Sequence, residues 1–195
     1  MANSNIKLSI LICSVDTIER QENLDKLIHE LNHQICSNYA EEIIEVLIEK
    51  DNGEMSVGGK RNVLIDKAQG EYICFIDDDD FIASNYLNTI LQNLKKDILL
   101  IRIEHLIQGV KSTTIQPSLY IDNLVTNELI YCANHLHLCP HKRLISKQIK
   151  FKELNFSEDI DYSQRIIPTI NSYDLITEAL YIYNDNIQNS LTRNV

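Results

Sequence analysis

The feature that most constrains this chain is an uncharged run, Tyr72-Ile73-Cys74-Phe75-Ile76, that ends abruptly in four consecutive aspartates, Asp77 to Asp80. The run is rich in β-formers and suits a strand buried on both faces. Four adjacent carboxylates at the end of such a strand raise one another's pKa unless a cation neutralises them. Oxygen ligands select a hard ion such as Mg²⁺ or Mn²⁺, and Mg²⁺ is commonly held by one or two carboxylates plus substrate phosphates. The acids therefore point to a divalent metal and a phosphate-bearing substrate. An isolated charge run is usually a solvated turn. That reading weighs less here because the acids abut a hydrophobic strand. The spacing of a calcium loop is absent.

The rest of the chain supplies the sheet that such a strand needs. Ile6 to Val15 reads as a buried strand, and Leu24, Leu27, Ile28, Leu31 and Ile35 recur at helical spacing. Ile43–Glu49 is a second strand that breaks at Asp51-Asn52-Gly53. Gly58-Gly59 opens a helical stretch from Val63 to Ala68, with Gly70 placed as a C-cap. Leu87 to Leu94 marks another helix and Ile98–Ile103 another strand. The order βαβαβαβ implies an α/β fold with a mostly parallel, Rossmann-like sheet and helices on both faces. Beyond it, Arg102 to Val110 suggests a hairpin around Gln108-Gly109, Asn123–Asn134 a helix, and His135–Leu138 a short strand. Ser157 is a candidate N-cap for a helix from Glu158 to Ile166, which Pro168 limits. Leu180–Tyr183 reads as a last strand before a polar tail.

Length and composition narrow the classes. With 195 residues the chain fits one domain, and 44% hydrophobic with 24% charged residues is a globular balance. No apolar run is long enough for a membrane span and the start resembles no signal peptide, so a cytoplasmic location is expected. The five cysteines, odd in number and without C-x-x-C spacing, read as reduced core residues. A formal charge of −10 argues against a general nucleic-acid-binding role.

Three further groups carry candidate chemistry. Lys60 and Arg61 follow two glycines at a helix start, where backbone N–H groups and the helix dipole favour anions, so they could clamp a diphosphate. A solvated loop is the commoner meaning of such a stretch, and neither a Walker A loop nor a G-x-G-x-x-G fingerprint is present. Glu158 and Asp159, with Asp161 nearby, sit at a helix N-terminus, where acids often serve the dipole alone. Facing the metal, one of them could act as general base. Of His135, His137 and His141, one could complete the metal shell, although ordinary hydrogen-bonded histidines are the more frequent case.

Gly59-Lys60-Arg61-Asn62 followed by Ala68-Gln69-Gly70-Glu71-Tyr72-Ile73-Cys74-Phe75-Ile76-Asp77-Asp78-Asp79-Asp80 resembles the R-N-x-x-x-x-x-A-x-G-E-Y-I-x-F-x-D-x-D-D stretch of the family-2 glycosyltransferases, which have the nucleotide-sugar transferase A-type fold. The resemblance runs from Leu8 to the Glu158-Asp159 region, and the segment from His137 to Arg165 is similar to compact phage-encoded members. It implies that Asp77 and Asp79 form a D-x-D motif, with Asp79 the metal ligand, joined by Asp77, and with Asp77 or Asp78 near the nucleoside. It implies that Asp51 contacts the base, commonly uracil, and that Arg61 lies on the nucleotide side. Glu158-Asp159 becomes the E-D motif, with Asp159 the catalytic base and Glu158 beside the substrate.

The implied activity is metal-dependent, inverting transfer of a sugar from a nucleoside-diphosphate sugar, a UDP-sugar in preference, with Mn²⁺ or Mg²⁺ as cofactor. Residues 1–103 would be the nucleotide-sugar-binding half and 104–195 the acceptor-side half of one domain. Departures are Cys13-Ser14-Val15-Asp16 in place of a Pro-x-Tyr/Phe-Asn-like turn, Asp51-Asn52-Gly53 in place of Asp-Asp-Gly-Ser, and no Q-x-x-R-W motif, which argues against a processive synthase. A glycan, a protein or modified DNA could be the acceptor. Nucleotidyl transfer and a non-catalytic nucleotide-sugar-binding module are the competing readings.

Overall fold

The apolar runs become the centre of one sheet in a computed structural model that describes residues 5–37, 40–120, 124–126 and 129–185. The elements are β1 (Leu8–Val15), α1 (Ile18–Ser37), β2 (Ile44–Asp51), α2 (Val57–Lys67), β3 (Tyr72–Phe75), β4 (Phe81–Ile82), α3 (Tyr86–Asn93), β5 (Ile98–Ile107), β6 (Val110–Pro117), β7 (Leu124–Thr126), β8 (Leu129–Cys132), β9 (His141–Lys142), α4 (Arg143–Ile149), α5 (Glu158–Ile166) and β10 (Tyr173–Asp185). Strand order is β2-β1-β3-β9-β5-β6-β8-β7, with β10 joined to β5 and β4. β1 runs parallel to β2 and β3, and β10 parallel to β5. The short β9 is antiparallel to both β3 and β5, and fills the place between them. α1 packs with α3, whereas α2 packs with α4 and α5. This is the mixed α/β fold with a parallel sheet core and two groups of helices that the strand and helix order predicts.

β1 is apolar throughout because it is central. Leu8, Ile10, Leu11 and Ile12 are fully buried, and each contributes about 1.5–3 kcal/mol by leaving water. Register places function at one edge. Val15 lies opposite Asp51 and Leu11 opposite Phe75, so the ends of β1, β2 and β3 deliver Ser14, Asp51 and Asp77 to the same side of the sheet.

Several expectations are corrected. Where a helix was expected over Asn123–Asn134, the described residues form β7 and β8, an antiparallel pair on the sheet edge. Leu124-Val125 and Leu129-Ile130-Tyr131 are β-formers, and that pairing outweighs a weak helical period. His135–Leu138 is no strand but a 3-10 turn over Leu136–Leu138. α2 begins at Val57, six residues before the expected Val63, because the Ser56 side chain caps it by accepting from the Gly59 N–H at 3.1 Å. Gly70 is not its C-cap; Ala68 is. Gly70 instead lets the chain cross β1, since a Cβ there would lie 2.6 Å from the Ser9 backbone nitrogen. The last strand extends over Tyr173–Asp185, well beyond Leu180–Tyr183. The tail from 186 onward lies outside the described residues. No helix among the described residues is long and apolar enough to cross a membrane.

Candidate active site

A cleft of about 250 Å³ opens where the sheet delivers these strand ends. Asp77 to Asp80 form a tight turn on one wall, closed by the Asp80 N–H donating to the Asp77 carbonyl at 3.1 Å. The four acids line the cleft but differ in burial. The side chains of Asp77 and Asp79 are 34% and 33% exposed on the cleft side, whereas Asp78 is 4% exposed. Asp78 accepts from the Ser14 hydroxyl at 2.6 Å and pairs with Arg20. Asp80 accepts from the Tyr181 hydroxyl at 2.6 Å and from the Asn184 N–H at 2.8 Å. Tyr181 also accepts from the Asp77 N–H at 3.1 Å, so one phenol from β10 ties both ends of the turn.

The turn carries an unusual load of charge. Burial pushes the Asp79 carboxyl up to about 6, with Asp77 and Asp78 adding to the rise and Arg20 opposing it. Burial also raises Asp78 and, well above its ordinary value, Asp80. Arg20, from the first turns of α1, reaches Asp79 at 2.8 Å as well as Asp78. No sequence pattern pointed to Arg20; it stands nearly sixty positions from its partners.

Gly58 to Asn62 are each used. Lys60 is buried and donates to the Ser14 carbonyl at 2.8 Å and to Asp51 at 2.7 Å. Asp51 also accepts from the N–H groups of Met55 at 2.7 Å and Gly53 at 3.1 Å. Desolvation works against ionising Asp51, but these contacts outweigh it and hold the carboxyl down at about 2. Asp51 thus sits behind Lys60, off the cleft wall. Arg61 is 4% exposed, lies beside the edge-to-face rings of Phe75 and Phe151, 5.4 and 5.2 Å from their centroids, and pairs with Asp77 and Glu158, both at 3.3 Å. Its Nε and Nη1 have no hydrogen-bond partner among the described residues. Asn62 exchanges two hydrogen bonds with the Phe151 backbone, at 2.8 and 2.9 Å, and so holds that ring over Arg61.

The segment after Phe151 straps the second half of the chain to the start of α2. The Gly58 N–H donates to the Leu154 carbonyl at 3.0 Å and the Val57 N–H to the Asn155 side chain at 3.1 Å. A Cβ on Gly58 would fall 1.9 Å from the Lys152 carbonyl oxygen. Gly58→Ala should therefore lift the strap or cost about 1–3 kcal/mol of overpacking. A lowered urea midpoint checks this; an unchanged midpoint with wild-type crystal packing of the strap would contradict it.

The strap delivers α5. Ser157 precedes it in a left-handed conformation, φ 57°, and its side chain makes no cap bond, contrary to expectation. Glu158 is buried against Arg61, and burial raises its carboxyl, with Arg61 opposing. Asp159 lines the cleft, where its carboxylate accepts the Ile160 N–H at 2.9 Å. Asp161 points elsewhere, paired with Lys152 and Arg165.

The three histidines diverge. His141 is buried and spends both ring nitrogens on the Cys139 carbonyl, Ser146 and Tyr162, so it holds β9, α4 and α5 together and cannot ligate a metal. His137 and His135 line the cleft; burial drives both imidazoles down, His137 well below its usual value. Among the described residues no three His, Cys, Asp or Glu side chains converge on one metal position. Asp77 and Asp79, each about a third exposed and ion-paired with Arg61 and Arg20, are the carboxylates of the turn that could hold a hard divalent ion such as Mg²⁺ or Mn²⁺ together with substrate oxygens.

A family model described as glycosyl transferase family 2 matches residues 25–150, more than half of the chain, including α2 and the acid turn. The chain belongs to glycosyl transferase family 2. Asp159 lies beyond the matched residues. Poly(ribitol-phosphate) β-N-acetylglucosaminyltransferase TarS of Staphylococcus aureus, from strains Mu50 and MW2, is 23% identical over 159 residues, 77% of this chain. The chain spans 27% of the length of those curated relatives. The structure of S. aureus TarS 1–349 in complex with UDP-GlcNAc superposes with a TM-score of 0.68 at 17% identity, covering 97% of this chain and 62% of the other. The catalytic domain of Drosophila β1,4-galactosyltransferase 7, complexed with xylobiose, gives 0.59 at 14% identity, covering 97% and 74%. These structures share the fold of this family member.

Proposed function

We propose that the chain transfers a sugar from a nucleoside-diphosphate sugar, a UDP-sugar by preference, to an acceptor hydroxyl with inversion at the anomeric carbon. The observation that carries this reading is the division within the acid turn: Asp77 and Asp79 keep about a third of their side-chain surface exposed in the cleft that Arg61 and Asp159 line, while Asp78 and Asp80 are buried in hydrogen bonds that hold the turn. Residues 1–103 take the donor, and 104–195 present the acceptor. The binding of UDP-GlcNAc and UDP by TarS structures of the same fold supports the choice of donor.

Asp159 removes the proton from the acceptor hydroxyl. The oxygen then attacks the anomeric carbon from the face opposite the diphosphate, the bond to the diphosphate oxygen breaks, and its electron pair leaves with the nucleoside diphosphate. The single displacement inverts the centre. Glu158 and Asp77 hold Arg61, whose charge lies at the diphosphate end of the cleft. Lys60, locked on Asp51 and Ser14, shapes the nucleoside end rather than clamping phosphate. A divalent ion held by Asp77 and Asp79 would supply Lewis-acid neutralisation of the leaving diphosphate, a contribution of several kcal/mol.

Seven acids line the cleft, Asp77 to Asp80, Glu158, Asp159 and Asp185, against three cations, Arg20, Lys60 and Arg61. Such a surplus of acids disfavours a diphosphate unless positive charge is added. Release of nucleoside diphosphate from a panel of nucleotide-sugars should accordingly require Mn²⁺ or Mg²⁺, and Asp79→Ala should abolish it. Metal-independent release, or full release by Asp79→Ala, contradicts the assignment. Donor binding by calorimetry without turnover would identify a binding module, and release of pyrophosphate would identify nucleotidyl transfer.

A further inference from the structure

Arg20 is a cation in an unfavourable place. It lies in the first turn of α1, where the helix dipole disfavours positive charge, and the Thr17 hydroxyl caps that turn by accepting the Arg20 N–H at 3.3 Å. Its side chain is 16% exposed, and one nitrogen, Nη1, serves both Asp78 and, at 2.8 Å, Asp79. The two carboxylates are unequal. Asp78 is 4% exposed and is also held by the Ser14 hydroxyl at 2.6 Å, so it cannot exchange its counter-charge for water. Asp79 is 33% exposed in the cleft, and Arg20 is the one ion-pair partner of its carboxylate among the described residues. Asp79 can therefore give up Arg20 for another cation while Asp78 retains it.

A divalent ion on Asp79 would meet this guanidinium at close range. Two cations on one carboxylate repel each other, so Arg20 weakens the attraction of the turn for the ion. A nucleoside diphosphate reverses that effect. The guanidinium is a planar fork of N–H donors that matches phosphate oxygens, and Arg20 lines the same cleft as Asp77, Asp79 and Arg61. Once Asp79 turns to the ion, the fork is released to the diphosphate. Each ligand then removes an obstacle to the other, and linkage makes the coupling reciprocal.

We propose that Arg20 is a positioning residue that exchanges Asp79 for the diphosphate of the donor when a divalent ion binds, so that ion and nucleoside diphosphate depend on each other for tight binding. The inference rests on the transferase reading, with Asp77 and Asp79 as the carboxylates of the ion.

The test is titration of the full chain with Mn²⁺, followed by the electron paramagnetic resonance signal of the unbound aqua ion, with and without UDP. Without UDP, Arg20→Met should bind Mn²⁺ at least about tenfold more tightly than wild type, because the competing charge is gone. UDP should then tighten Mn²⁺ binding at least about tenfold less than it does in wild type. Arg20→Lys should shift Mn²⁺ affinity in the same direction by about threefold, since its compact ammonium stays with Asp78 and leaves Asp79. That variant keeps Asp78 compensated, and so serves even if Arg20→Met fails to fold. A residue that only braced the turn would act the other way, because its loss would loosen Asp79 and weaken Mn²⁺. Unchanged or weaker Mn²⁺ affinity in the folded variants, or an undiminished gain from UDP, overturns the inference. Wild-type protein that binds UDP but no Mn²⁺ overturns it too and leaves a donor site without a metal; protein that binds neither overturns the transferase reading itself.

Discussion

Asp159→Asn should lower the rate of sugar transfer by about 10²–10⁴-fold while leaving donor affinity within about twofold. The amide is close in shape to the carboxylate and can still accept the Ile160 N–H, so α5 keeps its start. What it loses is the capacity to take a proton from an acceptor hydroxyl. The neighbouring carboxylate cannot replace it, because Glu158 is buried and paired with Arg61. Initial rates of transfer beside calorimetric donor affinity separate the two effects. A variant that transfers at the wild-type rate sinks Asp159 as the base.

Arg61→Met should be the most damaging single change to the fold. Breaking a buried ion pair by removing one partner costs about 3–5 kcal/mol, because the other charge stays buried without compensation. Here the loss falls mainly on Glu158, whose side chain is 8% exposed, since Asp77 at 34% can recover water. Methionine can pack against the rings of Phe75 and Phe151, so the damage is electrostatic more than steric. The pH dependence gives a signature. With Arg61 gone, the folded-state pKa of Glu158 rises further above its unfolded value. A carboxyl raised in the folded state binds its proton more tightly there, so stability grows as pH falls through the folded pKa and is lost as pH rises. The urea midpoint of the variant should therefore recover in mildly acidic buffer relative to wild type. An equal deficit at every pH would place the cost in packing instead. Arg61→Lys should rescue only part of it, because an ammonium lacks the planar fork that packs on two rings and reaches two carboxylates.

Much of the candidate site was legible along the chain because its information is local. An uncharged strand running into acids, a Gly-Gly-Lys-Arg-Asn helix start and a Glu-Asp pair at another helix start are patterns in neighbouring residues. The structure brings Asp77, Asp79, Arg61, Glu158 and Asp159 to one cleft. What those patterns could not convey is which acid faces inward. Asp78 and Asp80 are indistinguishable from Asp77 and Asp79 by composition. Ser14 and Arg20 claim Asp78, and Tyr181 and Asn184 claim Asp80, across separations that no periodicity reveals. Lys60 reads as a phosphate clamp until Asp51 and the Ser14 carbonyl are seen to occupy it.

The sequence by itself determined the α/β order, the buried strand that presents the acids, and the helix starts, because hydrophobic period, turn chemistry and capping act over a few residues. Only the tertiary structure decided which carboxylates stay exposed in the cleft and where each histidine goes. Those outcomes depend on burial and on partners tens of residues away, and desolvation and charge pairing take their values from the folded surroundings of a group, not from its neighbours in the chain.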